Sequence, residues 1–171
     1  AGCVGAVGNN SVGVTGVNWN VSIMPLKVGG AEGASTAAII DAISYAIENG
    51  ATIANCSYGN YSYDESQYDA MRKALDYGLL FCCAAGNETR NLDETPCYPA
   101  CFDLPNIISV AATDPNDELA EFSCYGAKNV DVAAPGYGIL STYLESSLSG
   151  MSGTSMATPM VVGVAALLKS A

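Results

Sequence analysis

Five short apolar runs punctuate the chain: Ile23–Val28, Thr52–Ser57, Leu79–Ala84, Ile107–Ala112 and Val130–Ala133. Their length suits strands better than helices. Between the first two, Ile40, Ile43 and Ile47 recur at i, i+3 and i+7, the spacing of one helix face. Ser35 or Thr36 is placed to cap that helix and Gly50 to end it. A similar segment separates the second and third runs, with Tyr68, Met71 and Leu75 on one face and Gly78 past its end. Alternating strands and helices, with strands apolar almost throughout, predict an α/β fold: a mostly parallel sheet with helices on both faces. A last helix, from about Thr154 to Lys169, is small and apolar nearly all round, which predicts a buried central position. Residues 86–106 form a long connection without periodicity, and loops of that kind are usually functional or ordered by a ligand.

Composition narrows the function classes. A length of 171 residues fits a single domain, 1–171, and half the residues are apolar, enough for a packed core. A net charge of −11 argues against nucleic acid, whose phosphates must be met by clustered Lys and Arg, and against an anionic membrane surface. The longest apolar run, Val161–Leu168 with Gly163 counted, is too short to span a bilayer. Cys56, Cys82 and Cys83 sit in apolar runs and read as small core residues, while Cys97 and Cys101 flank Tyr98-Pro99-Ala100 within a polar stretch where a local disulfide can form. The cysteine count is seven, an odd number, and spacing alone does not assign the pairing. The N-terminal Ala1-Gly2-Cys3-Val4-Gly5 lacks the basic flank of a signal peptide and reads as a cut into a folded region. The chain has no histidine, so no mechanism that needs an imidazole base can be completed within it.

Two segments carry candidate chemistry. Gly153-Thr154-Ser155-Met156-Ala157-Thr158-Pro159 opens the last helix. A serine there sits beside free backbone N–H groups and the positive end of the helix dipole, a setting that stabilises an oxyanion. Gly-x-Ser by itself is also an ordinary helix cap. Ala84-Ala85-Gly86-Asn87-Glu88 stands at the carboxyl end of the third strand run, where ligands bind in open α/β sheets. Asn87 can aim its amide N–H at developing negative charge, or serve only as a turn residue.

Together these segments resemble the subtilisin-like serine proteases, the subtilases. Asn9-Asn10-Ser11-Val12-Gly13-Val14-Thr15-Gly16-Val17, Ser22–Val28, Phe122–Gly126 and Val132–Gly136 are also family-like and occur in the family's order. The resemblance implies that Ser155 is the nucleophile and forms an acyl-enzyme, with the oxyanion hole built from the Asn87 amide and the Ser155 N–H. It further implies that Ser57-Tyr58-Gly59 and Gly33-Ala34-Ser35 hold a peptide or protein substrate as an added β-strand. Ala84-Ala85-Gly86 would line the primary specificity pocket, whose small walls suit a large apolar side chain. Glu88 at its rim adds tolerance for a basic one, or is only a solvated loop carboxylate. The early loop is expected to offer calcium the oxygens of Gly8, Asn10, Val12 and Val14, with an Asp that would lie upstream of Ala1, so the site should be weak or empty.

The resemblance also implies departures. The family's triad Asp and His precede Ala1, the His in a His-Gly-Thr-His-Val motif directly before an Ala-Gly. Residues 1–171 are therefore expected to be the C-terminal part of a subtilase catalytic domain, lacking the N-terminal strands and the Asp- and His-bearing elements. Met160 stands where the family usually carries a second, non-triad histidine. Ser155 without a base should be nearly inert. The missing strand would lie between Ile23–Val28 and Thr52–Ser57, leaving two open edges to be filled by an upstream segment or a swapped or dimeric partner. The family expectation is a secreted or extracellular enzyme. The rival readings are a non-catalytic peptide-binding pseudoprotease and a nucleotide-binding domain, the latter weakened because neither phosphate-loop pattern occurs.

Overall fold

The computed structural model of the chain describes residues 1–30 and 33–171. Its centre is a four-stranded parallel sheet made of β3 (Ile53–Cys56), β4 (Leu80–Ala84), β5 (Ile107–Thr113) and β6 (Val132–Pro135), in that spatial order. Two small antiparallel pairs flank it: β1 (Gly29–Gly30) with β2 (Gly33–Ala34), and β7 (Ile139–Thr142) with β8 (Leu148–Met151). The helices are the single turn α1 (Gly2–Gly5), α2 (Thr36–Glu48), α3 (Glu65–Ala74) and α4 (Thr154–Ser170).

The strand sequences divide the core into two layers. Successive side chains point to opposite faces, so Phe81 and Cys83 of β4 join Ile39, Ile43, Ala46, Met71 and Ala74 of α2 and α3. Cys82, between them, joins Val110, Ala112, Ala157 and Val162 on the α4 side. This double burial is why the strands read as unbroken apolar runs. Cys56, Cys82 and Cys83 are buried as expected, and all seven cysteines are free. Cys97 and Cys101 are therefore thiols, linked by a Cys97 N–H donated to the Cys101 sulfur at 3.3 Å.

Helix ends follow the sequence signals. Of the two candidate caps, Ser35 serves, its hydroxyl accepting from Ala38 N at 3.3 Å, and Gly50 leaves α2 with φ +73°. Asp64 caps α3 through Gln67 N at 3.0 Å and also accepts from the Thr36 hydroxyl at 2.9 Å, which ties the starts of α2 and α3 together. The buried faces are rotated by about one residue from expectation. Ile39, Ile43 and Ala46 are buried on α2, and Gln67, Met71 and Ala74 on α3, while Leu75 is 40% exposed. Large residues at the edge of the stripe drew the periodicity away from the small alanines at its centre.

Three further expectations change. Ile23–Val28 forms no ladder among the described residues: Leu26 and Val28 pack on the first core layer, but Ile23 and Met24 are exposed. An extended segment needs a neighbouring strand to pair with, and the outer edge of β3 also has none among the described residues. Second, α4 is buried only along its first half. Val164 and Leu167 are exposed, and Leu168 is 75% exposed. Third, the long loop is ordered by its own residues. The Asp93 carboxylate accepts from Ala127, Lys128 and Asn129 N–H groups at 2.8–3.2 Å, and Ala85, Leu92, Cys97 and Cys124 form a small core beneath it.

Candidate active site

The site gathers at the carboxyl ends of β3 and β4, where α4 begins. Gly153 precedes the helix, so Thr154 and Ser155 are its first two residues and their N–H groups have no intrahelical acceptor. Thr154 N donates to Asn87 Oδ1 at 2.8 Å and Thr154 Oγ1 donates to the same oxygen at 3.0 Å. Thr154 Oγ1 in turn accepts from Gly86 N at 3.1 Å. Two donors on Oδ1 fix the orientation of the amide, so Nδ2 faces away from Thr154. A methyl group on Gly153 would lie 3.5 Å from Asn87 Nδ2 and 3.7 Å from Ser155 N. Both donors thus lie near the same point, as does Asn87 Oδ1 at 3.6 Å, and neither donor has an acceptor among the described residues. Paired free donors at a helix N-terminus are suited to a developing negative charge.

Ser155 is held by a second device. Pro159 has no N–H, so the carbonyl four residues earlier, that of Ser155, loses its helical partner. The Ser57 hydroxyl fills the vacancy, donating to Ser155 O at 3.0 Å while accepting from Asn55 Nδ2 at 2.9 Å. The Ser155 hydroxyl lies 3.4 Å from Ser57 O, a long contact. With no histidine in the chain, no imidazole is available from these residues to take its proton.

Beside Ser155 opens a cleft of about 190 Å³ lined by Tyr58, Gly59, Tyr61, Ala84, Gly86, Asn87, Glu88, Cys97, Thr154 and Ser155. Its walls are the loop after β3 and the loop after β4. Reciprocal bonds between Asn60 and Tyr98, at 2.9 and 2.7 Å, fasten the first loop to the segment carrying Cys97. Gly86 adopts φ +112°, and a methyl group there would stand 2.9 Å from Glu88 Oε2 and 3.1 Å from Cys124 Sγ. Only glycine leaves this wall open. Burial pushes the Cys97 thiol up to about 12, so it is protonated at neutral pH and poorly suited to act as a nucleophile.

Among the residues singled out in the sequence, Ser155, Asn87, Tyr58, Gly59, Ala84, Gly86 and Glu88 meet in this cleft, with Ser57 at its edge. Ala85 does not line it: fully buried, it packs into the small core with Leu92, Cys97 and Cys124. Gly33, Ala34 and Ser35 do not line it either; the first two form β2 and the third caps α2. Tyr61, Cys97 and Thr154 were missed as cleft residues. Sequence spacing carried no signal for Tyr61 or Cys97, because they reach the cleft through loop packing. Thr154 was legible as part of the serine motif.

The residue 8–14 loop carries an Asx turn, Asn10 Oδ1 accepting from Val12 N at 3.0 Å. The donors it offers a cation are neutral oxygens, and residues 1–30 contain no Asp or Glu. Among the described residues no group of three or more His, Cys, Asp or Glu is placed to hold a metal. Calcium takes 6–8 oxygens with carboxylates among them, and the loop on its own does not fit that shell.

Known proteins resemble this chain in sequence and in fold. Thermitase of Thermoactinomyces vulgaris is 42% identical over 171 residues, covering 99% of this chain and 59% of that protein. Subtilisin Savinase of Lederbergia lenta is 40% identical, with 99% and 61% covered. A solved protease structure from Pseudoalteromonas arctica superposes with a TM-score of 0.90 at 35% identity, over 99% of this chain and 56% of that one. A cold-adapted subtilisin-like serine proteinase gives 0.82 at 33% identity, over 91% and 56%. The chain thus spans little more than half the length of these proteins. The profile of the subtilase family matches residues 1–171, and with the serine motif, the paired donors and the parallel sheet in one chain, this protein belongs to the subtilase family.

Proposed function

We propose that this chain carries the nucleophile, oxyanion site and substrate cleft of a serine endopeptidase. In this reading Ser155 attacks a peptide carbonyl, an acyl-enzyme forms, and water later releases it. The observation that carries it is the pair of unengaged donors, Asn87 Nδ2 and Ser155 N, lying near the same point beside the Ser155 hydroxyl. They would bind the oxyanion of each tetrahedral intermediate. The base that takes the Ser155 proton must come from outside these 171 residues, from an upstream segment bearing the Asp and His or from a partner chain. The same segment would add a strand to the open edge of β3. The names of the similar proteins support hydrolysis of peptide bonds.

The substrate would lie against the loop after β3 as an added strand, with Ser57–Gly59 beside the scissile bond. Gly33–Ser35 lies outside the described cleft and would take part only on the far side of a bound peptide. We propose that residues 8–14 alone hold calcium weakly, since a carboxylate would have to be supplied from elsewhere. Among the described residues no helix is long and apolar enough to cross a membrane. Action outside the cell is the reading consistent with the similar subtilisins and alkaline proteases.

A second reading rests on the absence of histidine: a pseudoprotease that binds peptides in the same cleft. The two separate on one experiment. The gene product, with all sequence that precedes Ala1, is assayed on a casein substrate with and without Ser155→Ala. Hydrolysis abolished by the substitution supports the endopeptidase. No hydrolysis, with peptide binding retained, supports the pseudoprotease.

A further inference from the structure

Cys97 and Cys101 take no part in the chemistry assigned to Ser155, yet they join the substrate cleft to a second cavity. Cys97, 3% exposed, lines the cleft. Cys101, half-buried, lines an open cavity of about 390 Å³ together with Asp103, Lys128 and Asp131. The two cavities therefore meet across one turn of chain, residues 97–101. Cys101 N donates to Cys97 O at 2.8 Å and closes that turn. With standard bond lengths, this bond keeps the two Cα atoms within about 6.7 Å of each other, inside the span of a disulfide. The Cys101 sulfur is folded back over the turn, where it accepts from Cys97 N at 3.3 Å.

The turn is part of the cleft wall. A methyl group on Gly59 would stand 2.9 Å from Cys97 Sγ, and Tyr98 holds the loop after β3 through its two bonds with Asn60. A third thiol, Cys124, shares the small core with Cys97 but faces the other wall. A methyl group on Gly86 would lie 3.1 Å from the Cys124 sulfur, whose thiol donates to Glu88 Oε2 at 3.7 Å. The two thiols of the turn differ in reach. Cys101 is open to solvent through the second cavity; burial raises its pKa, and the Cys97 N–H opposes that rise by stabilising the thiolate. Cys97 is sealed behind the wall, and burial pushes its thiol up to about 12.

We propose that Cys97 and Cys101 form a redox site: a small disulfide entering the second cavity oxidises the pair, and the bond that results braces the cleft wall until a thiol reduces it. The Cys101 thiolate attacks one sulfur of the reagent, so a mixed disulfide forms, the reagent's S–S bond breaks and one small thiolate leaves. Cys97 then gives its proton to water and attacks the Cys101 sulfur, which forms the Cys97–Cys101 bond and expels the second small thiolate. The two leaving thiolates take up the protons that the cysteines lost. Two protein thiols are thus oxidised by two electrons, and one small disulfide is reduced to two thiols. Ring closure is the slow step, since Cys97 is protonated at neutral pH, and its proximity to Cys101 offsets this. Asp103 and Asp131 outnumber Lys128 in the cavity and the chain's net charge is −11, so a cationic disulfide is the preferred oxidant. The site does not depend on the reading of the cleft as a peptide site.

The test treats the 171-residue chain with cystamine, blocks the remaining thiols with N-ethylmaleimide and maps the chymotryptic peptides by mass. Cleavage after Phe102 separates Cys124 from the pair. The wild type should give a peptide joined between Cys97 and Cys101, returned to two thiols by dithiothreitol. Closing so short a loop should raise the thermal midpoint by about 5 °C. Cys97→Ser should keep cysteamine on Cys101 as a stable mixed disulfide with no such rise, and Cys101→Ser should leave Cys97 unmodified. Cys124→Ser should form the bond as the wild type does. The inference is overturned by no reaction at Cys101, by a cysteamine adduct that never closes in the wild type, or by a bond to Cys124. A Cys97–Cys101 bond that leaves the midpoint unchanged overturns it as well.

Discussion

Replacing Ser57 by alanine probes how the nucleophile is positioned. The Ser57 hydroxyl bonds the Ser155 carbonyl at 3.0 Å, and Pro159 prevents the helix from supplying a donor of its own. Ser57→Ala therefore removes one bond and strands a part-buried carbonyl, at a cost of about 1–2 kcal/mol. In a Pro159→Ala background, residue 159 regains an N–H that can close the i→i−4 bond to Ser155. Ser57→Ala should then cost less, by about 1 kcal/mol, a coupling within the range for residues sharing a partner. Urea unfolding of the wild type, both single variants and the double variant gives all four corners. If Ser57→Ala costs the same in both backgrounds to within about 0.3 kcal/mol, the carbonyl does not depend on the serine and the reasoning fails.

Other consequences are simpler to check. Asp93 accepts from the N–H groups of Ala127, Lys128 and Asn129, so Asp93→Ala should destabilise the chain by about 2 kcal/mol in the same assay; an unchanged midpoint would mean the loop is ordered by its small apolar core alone. Glu88 lies below its ordinary value of 4.5, chiefly through the Tyr61 hydroxyl, and Asp64 below 3.8, chiefly through Gln67 N–H. Their contribution to stability is therefore complete above those ordinary values and lost as pH falls through the lower folded-state ones. The thermal midpoint followed on acidification should fall across that window, and Tyr61→Phe should shift the Glu88 titration, followed by carboxyl NMR, to higher pH. Calcium and EDTA should leave the midpoint of the 171-residue chain alike, because its early loop offers only neutral oxygens; a clear rise with calcium would show that those oxygens suffice.

The layered fold was legible because strands buried on both faces leave continuous apolar runs, and α2 to β6 lie where those runs predict to within two residues. β6 begins later than its apolar run, at Val132. Asp131 first exchanges two bonds with Ser109, one through its backbone N–H and one through its carboxylate, before the ladder starts. The β7–β8 hairpin gave no sequence signal, since its strands are short, interrupted by Ser141, Ser149 and Gly150, and mostly exposed. At the site, Ser155 and Asn87 were readable as motifs. The docking of Ser57 onto Ser155 and the burial of Ala85 were not, because the first depends on a partner 98 residues away and the second on a core formed by other loops. Ile23–Val28 has strand character in sequence but no neighbour to express it.

The central claim is that Ser155 stands ready beside its oxyanion donors and lacks only a base. It is tested most directly by the rate at which a fluorophosphonate modifies Ser155 in two proteins: the 171-residue chain, and the complete gene product with all sequence preceding Ala1. The account predicts slow labelling of the former and rapid, stoichiometric labelling of the latter, lost with Ser155→Ala. Rapid labelling of the 171-residue chain, or slow labelling of both proteins, would contradict it.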